Sequence, residues 1–177
     1  WMALSEQGRI GMLTNVRDPS RHRPDAPSRG ALVTAWLDGA DEPAQGHNPF
    51  NLIGGDLHSG HWWWRSDRQA ATPLALGVHA LSNAALNEPW PKVRRLSSAM
   101  DEALRGDDKT LTDRLFALLA ERSVAADADL PDTGIGIERE RMLSPIFITT
   151  PEGRYGTRCS TLVLGERTQE CWRLTVI

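Results

Sequence analysis

Cysteine is scarce in this sequence: Cys159 and Cys171 are the only two among its 177 residues. Two cysteines cannot form the disulfide framework of a small secreted domain, and they are typical of a protein kept in a reducing compartment. The sequence also has no apolar run of transmembrane length and no visible signal peptide. We therefore expect a cytoplasmic protein without a membrane span.

Charge of one sign is not in excess either, because the formal net charge is only −3. This removes the electrostatic case for binding nucleic acid or an anionic membrane. Histidine gives no metal signal: His58 and His61 flank a Ser-Gly turn without the third ligand that a metal site needs. We expect no metal and no cofactor. A length of 177 residues predicts one domain, 1–177, with a core of its own.

What the sequence does contain is a series of short apolar segments separated by turn residues. Alternation predicts two hairpins, over 2–4 with 9–13 and over 50–57 with 61–65. Helical spacing predicts three helices: a short one capped by Ser28, one opened by "NEPWPKV" and ended by Gly106, and one over about 111–125. Further strands are predicted over 76–82, 146–149, 155–164 and 171–177. Antiparallel strands with helices grouped between them predict an α+β fold.

Tryptophan is abundant, with seven residues against one tyrosine and three phenylalanines. Three of them stand together in "HWWWRS", where a strand would turn Trp63 to one face and Trp62 and Trp64 to the other. We expect these rings to pack within the hairpin and to cover its edge. The alternative is an aromatic wall for a flat ligand.

Three polar residues stand at the ends of predicted strands, where a scaffold commonly presents functional groups. Asn15 follows "GMLT" and Asn83 follows "HALS", so each asparagine leads from an apolar strand into a turn. A carboxamide N–H in such a place can stabilise an oxyanion. The alternative interpretation is that both asparagines cap turns, which asparagine often does.

The third residue, Arg158, belongs to "YGTRCSTLVL", which alternates like a strand. Arg158 shares a face with Leu162 and Leu164, so a guanidinium stands on a face that otherwise resembles core. An arginine there can orient a carboxylate or lower the pKa of a neighbouring thiol. It can equally be a surface residue or one half of an ion pair.

Four segments together resemble the NRDE family, also called the transport and Golgi organisation 2 family. They are "GMLTNVRDP", "FNLIGGDL", "ALSNAALNEPWPKV" and "YGTRCSTLVL", and they occur in the family's order from near Trp1 to Leu164. The family is similar to the N-terminal nucleophile hydrolases. The resemblance therefore implies an αββα sandwich, and it implies hydrolysis of amide bonds.

The resemblance also implies roles for the three polar residues. In the related hydrolases, the nucleophile is a cysteine exposed as the first residue, and its α-amino group is the general base. Asn15 and Asn83 resemble the two asparagines of that site, and Arg158 resembles its arginine. The cysteine and the Asn-Arg-Asp-Glu segment of the family both precede the region to which Trp1 corresponds. We therefore expect the chain to be incomplete at its N-terminus, with an upstream strand beside 2–4.

The resemblance implies an N-terminal cysteine amidohydrolase that acts on a non-peptide C–N bond of a small-molecule amide. The nucleophile would lie upstream, because neither Cys159 nor Cys171 is near an N-terminus. The alternative is a non-catalytic binding or trafficking protein for haem, lipid or a similar apolar ligand on the same scaffold. The sequence leaves open whether the protein is a homo-oligomer.

Overall fold

The structure, a computed structural model, describes residues 1–40, 45–169 and 171–177. The chain forms two compact units, Trp1–Glu88 and Pro89–Ile177. Each unit combines antiparallel strands with at least one helix, which confirms the predicted α+β class. The single domain over 1–177 stays a prediction. Within the described ranges, no helix is long and apolar enough to cross a membrane.

The first unit is built on a five-stranded antiparallel sheet whose strands follow one another in chain order. The strands are β1 (Met2–Leu4), β2 (Arg9–Asn15), β3 (Phe50–Asp56), β4 (His61–Ser66) and β5 (Thr72–Pro73). The structure confirms both predicted hairpins, because alternation and turn residues are local signals that need no distant partner. Strand β1 forms one edge of this sheet, and the upstream strand expected beside it stays a prediction.

Helix α1 (Gly30–Leu37) packs on one face of the sheet. Ser28, the predicted cap, lies one residue before the N-cap position, which Arg29 occupies. The Ser28 Oγ nevertheless accepts a hydrogen bond from the N–H of Gly30 at 3.3 Å. The register of β2 and β3 places Leu13 opposite Leu52. These side chains and those of α1 form a core of Leu13, Leu32, Val33, Phe50 and Leu52. Apolar alternation in the sequence therefore specifies which face of the sheet the helix covers.

The tryptophan run is accommodated by two glycines on the neighbouring strand. Trp63 lies opposite Gly54 and Trp62 opposite Gly55, on the two faces of the sheet. A Cβ on Gly54 would lie 2.2 Å from the Trp63 ring. On its other side the Trp63 ring meets Trp36 of α1 edge-on, with centroids 4.9 Å apart. The structure thus supports the interpretation of these rings as hairpin packing.

The second unit contains three helices and a two-stranded hairpin among its described residues. They are α2 (Pro91–Leu104), α3 (Leu111–Leu119), α4 (Ile137–Met142), β6 (Val163–Arg167) and β7 (Trp172–Val176). Helices α2 and α3 pack together, and the buried side chains of Ala103, Leu115 and Leu162 form the centre of their core. Leu164 also packs there, which confirms the apolar end of the face predicted for the "YGTRCSTLVL" segment.

The strand predicted over 76–82 is wrong, because this segment is an irregular loop. Leu76 is fully exposed. The backbone of Ala80 exchanges hydrogen bonds with Asn87 at 2.9 Å, both with its main chain and with its side-chain oxygen. Asn87 has a φ of 59°, a left-handed conformation that asparagine tolerates. Asparagine therefore closes a loop where the apolar letters suggested a strand.

The helix predicted over about 111–125 is shorter, since α3 ends at Leu119. Beyond it, the carbonyl of Glu121 accepts from the N–H of Phe147 at 2.8 Å, and the carbonyl of Ser123 accepts from Arg95 Nη2 at 2.9 Å. Carbonyls that are bound in this way no longer serve a helix. Hydrogen bonds to distant residues thus end the helix at Leu119, although the apolar pattern continues to about residue 125.

The strands predicted over 146–149 and 155–164 are also largely wrong. The described residues show an isolated bridge between Thr149 and Gly156, and regular pairing begins only at Val163. Thr157 closes this bend, because its hydroxyl accepts from the N–H of Ile148 at 3.0 Å. Alternation predicted the exposed and apolar sides here, but it carries no information about a pairing partner.

We predict that Gly54→Ala lowers the free energy of unfolding by about 1–3 kcal/mol, because the new methyl group must displace a ring held against Trp36. Urea denaturation measures this change. In a Trp63→Leu background the same substitution should cost little, since a flexible side chain can give way. An equal cost in both backgrounds would show that the ring contact is not the cause.

Candidate functional site

The end of strand β2 is joined to the loop at Ser82–Ala84 by hydrogen bonds. The Thr14 hydroxyl donates to the carbonyl of Ser82 at 2.8 Å. The main-chain N–H of Arg17 donates to the carbonyl of Asn83 at 2.7 Å. In return, the Asn83 Nδ2 donates to the carbonyl of Asn15 at 2.8 Å. The structure therefore brings the two predicted asparagines together, although 68 residues separate them in the chain.

A third asparagine, Asn51, secures this junction from the second position of β3. Its side chain has no exposed surface. The Asn51 Nδ2 donates to the carbonyl of Ala84 at 2.7 Å and lies 3.4 Å from the Thr14 hydroxyl. The Asn51 Oδ1 accepts from Nε1 of Trp64 at 3.1 Å. A buried carboxamide that is satisfied on both sides holds its partners in one arrangement. We call Asn15, Asn51 and Asn83 the carboxamide site.

Asn51 was missed at the sequence level. Its signal is a polar residue at the second position of the otherwise apolar start of "FNLIGGDL". The role of Asn51 can be recognised only from the strand register, which pairs Asn51 with Thr14 and Phe50 with Asn15. Pattern reading sees each strand alone, whereas the junction depends on which residues are neighbours across strands.

The carboxamide site keeps hydrogen-bonding capacity for a ligand. The Asn15 side chain is exposed, and it has no hydrogen-bond partner among the described residues. Asn83 is half-buried and uses one of its two amide hydrogens on the Asn15 carbonyl. Such a group can donate its second N–H to an oxygen that carries negative charge.

Charged residues in the turn after β2 are paired with one another. Asp18 accepts from the Ser20 hydroxyl at 2.5 Å and from the Arg21 Nε at 2.5 Å. These hydrogen bonds, the Ser20 bond foremost, lower the pKa of Asp18 below its usual value. Arg21 also pairs with Asp67, which accepts weakly from the N–H of Phe50 at 3.4 Å. At neutral pH Asp18 is thus an ion-pair partner that supports the turn, and a poor general base.

Arg158 lies in the second unit, on the irregular segment between Gly156 and β6. The sequence predicted Arg158 on a strand, and this prediction is wrong. Its side chain is exposed and has no hydrogen bond or ion pair among the described residues. The convergence of Arg158 with Asn15 and Asn83 stays a prediction. Cys159 and Cys171 are both free and exposed. In the described part of the chain, no group of three or more candidate metal ligands is present.

Comparison with known proteins assigns the chain to a family. The family model described as Transport and Golgi organisation 2 matches residues 1–174. The chain is 30% identical over 184 aligned positions to the mouse "Transport and Golgi organization 2 homolog". It is 31% identical over 187 positions to the bovine homolog and 29% over 184 to the human one. In each case 93% of this chain and 66% of the relative are covered.

The chain therefore belongs to the Transport and Golgi organisation 2 family, which confirms the resemblance drawn from the four segments. It spans just under two thirds of the length of these relatives. The relatives' names refer to transport and Golgi organisation, and the cytoplasmic location stays a prediction.

We predict that Asn51→Ala destabilises the protein by about 2–4 kcal/mol, because it empties a fully buried position and takes away the hydrogen-bond partner of the half-buried Ala84 carbonyl and Trp64 Nε1. Asn15→Ala is the matched control, because Asn15 directly follows Thr14, the residue that pairs with Asn51. It removes an exposed side chain without a partner, so its effect should stay within about 0.5 kcal/mol. Urea denaturation of both variants tests the contrast, and equal losses would contradict it.

Proposed function

We propose that the protein is an N-terminal cysteine amidohydrolase acting on a non-peptide C–N bond. Its nucleophile would be a cysteine encoded ahead of Trp1, and Asn15, Asn83 and Arg158 would complete the site. The observation that carries the proposal is the 2.8 Å hydrogen bond by which Asn83 is held against the end of β2 beside Asn15. The Asn83 carboxamide binds the main chain of Asn15 there, and both side chains retain donors.

The proposed reaction assigns a separate task to each group. The cysteine α-amine accepts the thiol proton, and the thiolate attacks the amide carbon. Asn15 and Asn83 donate N–H groups to the oxyanion of the tetrahedral intermediate. The protonated amine then gives its proton to the leaving nitrogen, which leaves a thioester. Water, deprotonated by the same amine, hydrolyses the thioester and restores the thiol. Arg158 would favour the thiolate through its positive charge.

The αββα sandwich is the fold that accompanies this proposal. It is supported by the antiparallel sheet of the first unit and by the helix that covers one face of this sheet. In this fold the carboxamide site would lie at the end of a strand, as Asn15 does in β2. A strand formed by the segment ahead of Trp1 would lie beside β1 and carry the nucleophile.

A binding or trafficking protein for haem, lipid or a similar apolar ligand is the second candidate. The observation that favours it is the relatives' names, which refer to transport and Golgi organisation. One feature that would support binding is an open tryptophan wall at Trp63. This ring is instead half-buried between Gly54 and Trp36, and we therefore place hydrolysis first.

We predict that Asn15→Ala lowers kcat for a hydrolysed acyl amide about 10²–10³-fold, because an oxyanion donor acts on the tetrahedral intermediate. Turnover is measured with a panel of acyl amides, using protein that includes the residues encoded ahead of Trp1. Gln7→Ala is the control, since it removes an exposed carboxamide from the turn between β1 and β2. A wild-type protein that hydrolyses none of the panel would favour the binding candidate.

We predict that Arg158→Ala slows alkylation of the upstream cysteine by iodoacetamide near neutral pH, because a nearby guanidinium favours the reactive thiolate. A Cys159→Ser, Cys171→Ser background removes the two exposed thiols that would react in parallel. Arg154→Ala supplies a matched loss of one exposed arginine. If the background protein, the Arg158→Ala variant and the Arg154→Ala variant are alkylated at the same rate, Arg158 does not belong to the site.

A further inference from the structure

A cavity of about 540 Å³ that is open to solvent lies at the surface of the second unit, between α4 and the segments that flank Arg122 and Phe147. Its size is in the range that holds a small organic ligand. None of the residues assigned to the proposed hydrolysis lines it. An occupant would therefore be a property beyond the proposed function.

The walls of this cavity are connected by hydrogen bonds. The N–H of Phe147 donates to the carbonyl of Glu121 at 2.8 Å, and the N–H of Ala125 donates to the Ser144 hydroxyl at 2.9 Å. That hydroxyl donates in turn to the carbonyl of Arg141 at the end of α4, at 2.8 Å. Three chain segments are thus joined around the cavity, so that its shape is largely formed before a ligand enters.

The three arginines of the lining differ in what they already bind. Arg141 makes two hydrogen bonds to Asp127, at 2.9 and 2.7 Å, and one to Glu138 at 2.7 Å. The hydrogen bonds to Asp127, foremost, raise the pKa of Arg141 above its usual value. This guanidinium has little capacity left for a ligand.

Arg122 and Arg139 are in a different state. The Arg122 guanidinium lies over the Phe147 ring, 4.1 Å from its centroid, and donates to the Thr149 hydroxyl at 2.6 Å. Its remaining N–H groups face no partner in the described part of the chain. The exposed Arg139 side chain has neither a hydrogen bond nor an ion pair among the described residues. Two positive charges with spare donors therefore border an otherwise mostly apolar cavity.

We propose that this cavity binds a small monocarboxylic acid with a flat apolar body. Arg139, assisted by Arg122, holds the carboxylate, because guanidinium N–H groups match carboxylate oxygens in geometry and charge. Phe147, Val124 and Met142 contact the apolar body. Glu138 is held by Arg141, so its charge is partly compensated and repels the carboxylate less.

Two probes with the same rings test the proposal on the full-length protein. 1-Naphthoate carries the carboxylate, and 1-naphthalenemethanol replaces it with a neutral alcohol. We expect 1-naphthoate to bind at least about tenfold more tightly, which is the usual worth of a hydrogen bond to a charged group. Titrations followed by ¹H–¹⁵N chemical shifts give both dissociation constants. The shifts should concentrate in α4 and in residues 145–151.

Substitutions separate the charge from the apolar contact. Arg139→Gln should weaken 1-naphthoate about tenfold and leave the alcohol unchanged, whereas Phe147→Leu should weaken both probes. Arg154→Gln, an exposed arginine outside the lining, should change neither. Circular dichroism checks that each variant is folded. Equal affinity for the two probes, no binding of 1-naphthoate at millimolar concentration, or an Arg139→Gln variant that binds it normally would overturn the proposal.

Discussion

The arrangement of the first unit depends on the buried side chain of Asn51. A carboxamide without exposed surface is costly unless its polar atoms find partners. Both ends of Asn51 are satisfied, by the Ala84 carbonyl on one side and the Trp64 indole on the other. Each partner left alone would cost about 1–3 kcal/mol. These hydrogen bonds therefore hold the loop that carries Asn83 at the end of β2.

The two faces of the same sheet meet different demands. On one face, Leu13 and Leu52 pack against α1, and apolar contact alone is sufficient. On the other, Thr14 and Asn51 bind the main chain of a loop, which requires directional hydrogen bonds. Helices satisfy their own backbone and can cover a face with side chains, whereas an irregular loop brings unpaired carbonyls that the sheet must satisfy. This difference explains why Thr14 and Asn51 stand on the face toward the loop, while Leu13 and Leu52 stand on the face toward α1.

The sequence predicted those parts of the fold that short-range signals specify. Both hairpins of the first unit and the start of α2 after "NEPWP" follow from turn residues, alternation and a proline in the first helical turn. The segments at 76–82 and 155–162 alternate as well, yet neither forms a regular strand. In the segment at 76–82, Asn87 forms hydrogen bonds with the main-chain N–H and carbonyl of Ala80, which a neighbouring strand would otherwise have bound. Alternation describes the two sides of an extended segment and does not name its partner.

The sequence predicted only those residues of the candidate site that can be recognised from their own neighbours in the chain. Asn15 and Asn83 were found because each follows an apolar run, and the structure joins them. Asn51 needed the strand register, because its role is to bind groups from the neighbouring strand and a loop. The hydrogen bond to Asn15 gives Asn83 a further property. Its first N–H is held by the Asn15 carbonyl, so the direction of the second is already restricted before any ligand arrives. A donor restricted in this way loses little freedom on binding an oxyanion, which is the condition under which such donors are most effective.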